Sequence, residues 1–396
     1  MSYYITSNPN APSTSKGEEK PITTSKIRFA IVGAGLIAAK NAAAIHACPT
    51  TELVFVGGRD AVKVQAFAKK HNVPKFGSME EACISDIVDA VYLCVPTAVR
   101  TPWALRAIAS GKHVIVEKPV APTLGEVKQI VRAASEANVI YMDGTMWRQA
   151  TRTAHLHKLL HQDKQFGRVL HTSTSFFVAL PPEGVENGIR GQPELEPLGA
   201  VGDMAWYSLG MAAFAFDYQF PVKVRAVTES CPTTGNTYHT AGLLEFPGSR
   251  TATFDGGYKL ALRQNAEIVC EKGTVGVNDF VNPPYSSFVS FLGPSAAKPA
   301  TFTLLDASKG SGVVLAGEPR RVVLPITPDD DNHTEDLPVV HFVHEVEMFF
   351  NFAKACMEKR QNEEWIKSSL ATQALVEGVL ASAAQDGKTV EVEAPF

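Results

Sequence analysis

The chain has 396 residues, 45% hydrophobic and 20% charged, which suits a globular protein of two domains. Its formal net charge of −4 offers no basic excess to nucleic acid or an anionic membrane. No apolar run approaches the roughly 20 residues that a membrane helix needs. Residues 1–26 are rich in Ser, Thr, Asn, Pro and mixed charge, without the apolar core of a signal peptide, and read as a disordered tail. Order is expected from the apolar run Ile27 to Val32, a buried strand ending in Gly33. Then follow a helix at 36–47, a strand at 53–56, a helix at 61–71 and a strand at 89–95. A helix at 102–110, a strand at 113–116, a helix at 124–137 and a strand at 139–142 complete the series. Strands alternating with helices mean βαβ units and a parallel sheet.

The pattern changes after Trp147. A helix at 153–160 and a strand at 169–178 precede a Pro/Gly/Glu-rich loop at 180–197 and a helix at 203–214. Short strands punctuated by Gly, Asn and Pro follow between 224 and 277, which suggests an antiparallel or mixed sheet. Two helices, 343–358 and 366–384, and a strand at 389–392 end the chain. The expected fold class is therefore α/β: a doubly wound Rossmann domain over 27–147, then an α+β domain over 148–396. The final helices are expected to pack back on the first domain. The acidic run Asp329 to Asp331, with Glu335 and Asp336, matches no EF-hand and reads as a solvated loop.

Gly33-Ala34-Gly35-Leu36-Ile37-Ala38 reads GxGxxA between a strand and a helix. Gly33 permits the tight turn and Gly35 lets a pyrophosphate approach the backbone. Ala38 lets helix and strand pack closely. The N–H groups of Leu36 and its neighbours open the helix toward the phosphates. An acidic residue at the tip of the second strand would bind both ribose hydroxyls of NAD; here the tip reads Gly58-Arg59-Asp60. Glycine does not repel a 2′-phosphate, and Arg59 suits one through a charge-assisted fork, so NADP is favoured over NAD. The alternative is that Arg59 stacks on adenine and Asp60 supplies the ribose contact. Pro96-Thr97 and Glu117-Lys118-Pro119 follow strands at the edge where such sheets bind ligands. A lysine there either holds a substrate hydroxyl or perturbs a neighbouring base, or is a plain strand-end lysine.

These residues resemble the glucose–fructose oxidoreductase and inositol dehydrogenase family, Gfo/Idh/MocA. The resemblance rests on GAGLIA at 33–38, FGSMEEA at 76–82, DAVYLCVP at 89–96, GKHVIVEKPVA at 111–121 and LGAVGDMAWY at 198–207. DGTMWR at 143–148 looks like a plant and fungal branch near the dihydrodiol and xylose dehydrogenases. The resemblance implies a large open sheet in the second domain that commonly mediates oligomerisation, with a dimer as default. It implies that Lys118 lines the nicotinamide pocket. It also implies catalytic roles for Asp203 and for Tyr207, which stands where many relatives carry an acid/base histidine. Asp203 and Tyr207 are four apart, so on one helix they share a face. A nearby Lys118 ammonium is expected to lower the phenol's pKa toward a working base.

Trp147, Arg148 and Arg190 are softer substrate candidates, each equally suited to a domain interface. His157 and His161, four apart, have no third metal ligand in view, so no metal is expected. The six scattered cysteines form no CxxC pair and read as reduced, which points to the cytoplasm. The leading reading is an NADP-dependent enzyme moving a hydride to or from a sugar, polyol or cyclic diol, with no nucleic-acid or membrane partner. The alternatives are a lyase or glycosidase using transient oxidation, and a non-catalytic dinucleotide-binding regulator.

Overall fold

The computed structural model describes residues 26–180, 182–282, 301–306, 320–323 and 343–396. The expected tail and the acidic loop at 329–336 lie outside these residues. The first sheet holds six parallel strands: β1 (Ile27–Val32), β2 (Thr51–Gly57), β3 (Lys75–Gly77), β4 (Ala90–Leu93), β5 (His113–Val116) and β6 (Tyr141–Asp143). Their order is β3-β2-β1-β4-β5-β6, the doubly wound arrangement, which places the switch point between β1 and β4. The helices are α1 (Leu36–Ala47), α2 (Ala61–Lys70), α3 (Met79–Ile84), α4 (Arg100–Ala109) and α5 (Leu124–Glu136). Apart from the exposed edge strand β3, the strands are largely buried on both faces, which is why they read as continuous apolar runs rather than alternating ones. The strand β3 and helix α3 were absent from the sequence reading. Three residues are too few to show a period, but Ser78 and Glu81 form a full capping box that starts α3.

The second sheet has nine strands among the described residues. They are β7 (Val169–Phe177), β8 (Lys223–Ser230), β9 (Thr237–Phe246), β10 (Arg250–Gly257), β11 (Arg263–Cys270), β12 (Gly273–Val277), β13 (Thr301–Asp306), β14 (Arg320–Val323) and β15 (Val390–Glu391). Their order is β14-β13-β12-β11-β7-β10-β9-β8-β15. The pair β7 and β10 is parallel and the other described pairs are antiparallel, so the sheet is mixed. Helix α6 (Thr151–His157) precedes β7, and the short α7 (Pro182–Glu186) interrupts the stretch read as loop. Helix α8 (Trp206–Ala215) is buried along its whole length between β7, β10 and the last helix.

Two C-terminal helices join the domains. Helix α9 (Val343–Glu358) packs on α1, β1 and β2, and α10 (Glu363–Ala383) on α5, β6, α8 and β8. Phe349 of α9 lies edge-on to Phe29 of β1 (centroids 5.3 Å) and to Tyr92 of β4 (5.7 Å). The open edge at β6 is covered by Gln361, whose side chain accepts from the Tyr141 N–H and donates to its carbonyl. No helix among the described residues is long and apolar enough to cross a membrane. Because Phe349 is fully buried across this seam, Phe349→Ala is expected to lower unfolding free energy by about 3–5 kcal/mol. Denaturant titration should show that loss in a single transition, with both sheets melting together.

Candidate active site

Gly33 adopts φ +118°, a left-handed conformation that disfavours any side chain, and a Cβ there would press on the Cys94 backbone at 3.0 Å. A Cβ at Gly35, by contrast, would meet nothing within 4 Å. Gly35 is the N-cap of α1 with no side-chain cap, and the first turn carries no acid. The turn is therefore an open cradle with unpaired N–H groups, which fits a pyrophosphate. Leu36 is 69% exposed beside it, Ile37 is half-buried, and Ala38 is fully buried, contributing by packing rather than by contact with a ligand.

At the tip of β2, Asp60 accepts from the Lys63 N–H at 3.1 Å and caps α2. The cap gives Asp60 a structural role of its own at this position. A Cβ at Gly58 would stand 2.5 Å from the Val64 methyl of α2. Glycine there is explained by helix packing, so the cofactor argument shifts to Arg59. Arg59 is exposed and makes no contact with any described residue, which leaves its guanidinium available to a phosphate.

Beyond the end of β5 the chain assembles three charged or phenolic groups around one carboxylate. Asp203 sits in a π-helical turn, Val201–Ala205, that leads into α8. Lys118, at the end of β5, donates to Asp203 Oδ1 at 2.6 Å and to its carbonyl at 2.8 Å. Arg190 Nε donates to Oδ2 at 2.6 Å, and the Tyr258 hydroxyl donates to the same oxygen at 2.8 Å. Burial pushes the Asp203 carboxyl up, but Arg190 and Lys118 outweigh it and hold the group well below the usual carboxylate range. Arg190 thus braces Asp203 through Nε, while its side chain stays 40% exposed. Tyr258, just beyond β10, escaped the sequence reading because nothing in its neighbourhood forms a motif.

The Lys118 ammonium lies 4.6 Å from the centre of the Tyr207 ring, so the two share one cleft. Phe176 packs against the ring's other surroundings in a T-shaped pair, centroids 4.8 Å apart. The ring is buried, 6% exposed, and the hydroxyl makes no hydrogen bond to a described residue. Lys118 does not lower this phenol as expected. Burial first, then the negative charges of Glu117, Asp203 and Glu345, push it well above its ordinary value.

Other candidates move away from the cleft. Thr97 is buried and spends both its hydroxyl (2.5 Å) and its N–H (3.2 Å) on Glu196, so beside the half-buried Pro96 it ties the first domain to the 180–197 segment. Trp147 is fully buried, edge-on to Phe214 and Phe280, and does not face a substrate. Arg148 turns to Asp143 (3.3 Å) and Thr372 (2.7 Å), pinning α10. Glu117 points inward and accepts from Tyr92 (2.5 Å) and from the Lys118 N–H (2.9 Å). Arg100, unremarked in the sequence, is buried and donates to the carbonyls of Val95, Glu117 and Pro119, fixing the two strand ends together. No cluster of three or more metal-ligating side chains exists among the described residues.

A Rossmann cradle facing a clamped lysine and a phenol defines a dinucleotide-dependent oxidoreductase architecture. Residues 27–145 match the family model GFO_IDH_MocA, described as "Oxidoreductase family, NAD-binding Rossmann fold", so the first domain is a Rossmann domain of the Gfo/Idh/MocA type. Among curated relatives, the trans-1,2-dihydrobenzene-1,2-diol dehydrogenase of Xenopus laevis is 27% identical over 296 residues, covering 74% of this chain and 87% of its own. The NADP-dependent D-xylose 1-dehydrogenase of Haloferax volcanii is 26% identical over 255 residues, 64% of this chain and 76% of its own. Among solved structures, a levoglucosan dehydrogenase bound to NADH and levoglucosan superposes with a TM-score of 0.77. It is 17% identical and covers 93% of this chain and 100% of its own, a likeness of fold.

Replacing Asp203 with Asn leaves the largely buried Lys118 without its counter-charge, and stability should fall by about 3 kcal/mol, the half-exposed Arg190 adding little. The folded carboxyl is depressed, so its contribution is whole above the unfolded value of about 3.9 and is lost as pH falls through the folded one. Acid unfolding followed by circular dichroism should therefore be less steep below about pH 4 in the Asn variant than in the parent chain.

Proposed function

We propose that the protein is an NADP-dependent oxidoreductase that interconverts a secondary alcohol or hemiacetal carbon of a sugar, polyol or cyclic diol with its carbonyl form. The observation that carries this reading is the Tyr207 phenol, without a hydrogen bond to any described residue, beside a Lys118 ammonium that Asp203 holds in place. Dihydrodiol and xylose dehydrogenases among the relatives support the substrate class. The open turn at Gly33 to Ala38 and the free Arg59 would hold the pyrophosphate and the 2′-phosphate of the cofactor. Its nicotinamide, when bound, supplies or takes up the hydride.

The chain's own part is proton and charge handling. Lys118 gives two of its three donor positions to Asp203, so one N–H remains for the substrate oxygen. That donor stabilises negative charge as it develops on the oxygen. Tyr207 holds its proton through the neutral range and passes it to the same oxygen, which suits carbonyl reduction; oxidation is the reverse. Arg190 and Tyr258 fix Asp203, and Asp203 fixes Lys118. The six free thiols suit a reducing cytoplasm. Exposed Leu170 on β7 and Val227 on β8 support pairing of two copies through the second sheet.

Tyr207→Phe should lower kcat for NADPH-linked reduction at least ~100-fold. The raised phenol also predicts no alkaline loss from Tyr207 below about pH 10, because the protonated form is lost only as pH rises past its folded value. Near-normal turnover of the Phe variant in a stopped-flow assay would remove Tyr207 from the role. Arg59→Ala should raise KM for NADP by about 10- to 100-fold, the worth of a charge-assisted pair, and leave KM for NAD unchanged. An equal effect on both cofactors would place Arg59 on the adenine instead.

A further inference from the structure

A line of hydrogen bonds inside the first domain joins the phosphate cradle to the reacting end. Asn41, on the buried face of α1, donates through Nδ2 to the Ile37 carbonyl in the first turn (3.1 Å) and to the Tyr92 hydroxyl (2.8 Å). Tyr92, on the central strand β4, donates in turn to Glu117 Oε1 at 2.5 Å. The other oxygen, Oε2, accepts from the Lys118 N–H at 2.9 Å. Asn41 is 3% exposed and Tyr92 fully buried, so water does not substitute for a lost link. A Cβ at Gly144 would stand 2.9 Å from Oε1, so β6 closes the remaining side.

We infer that Tyr92 is a positioning residue that couples binding of the cofactor's phosphates at α1 to the charge and placement of Glu117 and Lys118. The inference rests on the proposed dinucleotide-dependent reaction and names a path within it. The line is directional. Asn41 has only donors aimed at Tyr92, so the phenol oxygen accepts and its proton is committed to Glu117. A phenol so committed favours the ionised carboxylate. Ligand that fixes the first turn of α1 fixes Asn41, and through Tyr92 it favours ionised Glu117. Linkage then requires that ionised Glu117 favour the ligand by the same factor.

The groups facing Glu117 are Tyr92 and Cys94 from β4, Arg100 from α4, Lys118 beside it and Tyr207 from α8. Burial pushes the Glu117 carboxyl up, while Lys118, the Tyr92 hydroxyl and Arg100 pull it partway back. Loss of the Tyr92 donor therefore moves its titration to higher pH.

The test uses 2′-phospho-ADP-ribose, which carries the phosphates and lacks the nicotinamide, so direct contact with Glu117 is removed from the comparison. The full-length chain is titrated by infrared difference spectroscopy, with the protonated-carboxyl band assigned by its disappearance in Glu117→Gln. In the parent chain the ligand should move the Glu117 titration to lower pH, and ligand affinity should fall about fivefold as pH drops through it. In Tyr92→Phe the ligand-free titration should lie higher, and the ligand should no longer move it. Asn41→Leu breaks the line at its other end, so the ligand-free titration should stay near the parent's while the ligand-induced shift disappears. This second variant keeps the inference testable if Tyr92→Phe does not fold. An undiminished ligand-induced shift in either folded variant, or no shift in the parent chain, would overturn the coupling. Failure to find any substrate would refute the proposed reaction and leave these binding measurements to decide the coupling by themselves.

Discussion

The cleft is organised by a single buried carboxylate that accepts from a lysine, an arginine and a phenol at once. Asp203 lies where burial alone would neutralise it, and the opposing charges of Arg190 and Lys118 keep it ionised. Each donor comes from a different part of the chain: Lys118 from the end of β5, Arg190 from the segment after α7, Tyr258 from just beyond β10. The interaction therefore holds the two domains in register at the reacting end. Without the carboxylate two cations would face each other in a water-poor site, and the lysine would lose its aim.

The second consequence is electrostatic. Lys118 lies against the Tyr207 ring, yet the phenol is raised rather than lowered. Proximity of an ammonium is a poor guide where burial and nearby negative charge dominate. Glu117 and Glu345 add negative charge from the other sides, and the Lys40 pairing with Glu345 ties α1 to α9 at the same place. The result is a cleft that holds a proton on oxygen at neutral pH and an ammonium with one donor left. That combination suits giving a proton to a carbonyl oxygen better than taking one from an alcohol.

How much of this could be read from the sequence follows from the range of each interaction. The Rossmann half, apart from the short β3 and α3, was legible because its elements carry their own signals: an apolar run, a helical period, a glycine turn at Gly33. Lys118, Asp203 and Tyr207 were legible because each lies in a recognisable stretch. The contacts that give them meaning join residues far apart in the chain. Lys118 and Asp203 are 85 positions apart, and Asp203 and Tyr258 are 55. Neither Tyr258 nor Arg100 stands in a motif, so nothing local marked them. Trp147 shows the converse: a position after a strand suggested a pocket, but the side chain turned into the core. Gly58 shows a third limit, since a glycine required by Val64 looks the same in a sequence as one that admits a phosphate.

The central claim is that Lys118 and Tyr207 act together on one substrate oxygen. A double-mutant cycle on kcat/KM with Lys118→Met, Tyr207→Phe and the double variant measures this directly. If both groups serve the same oxygen, the double variant should be about as slow as the worse single variant, a strong departure from additivity. Losses that simply multiply would mean that the two side chains contribute independently, and the account of a single shared cleft would be wrong.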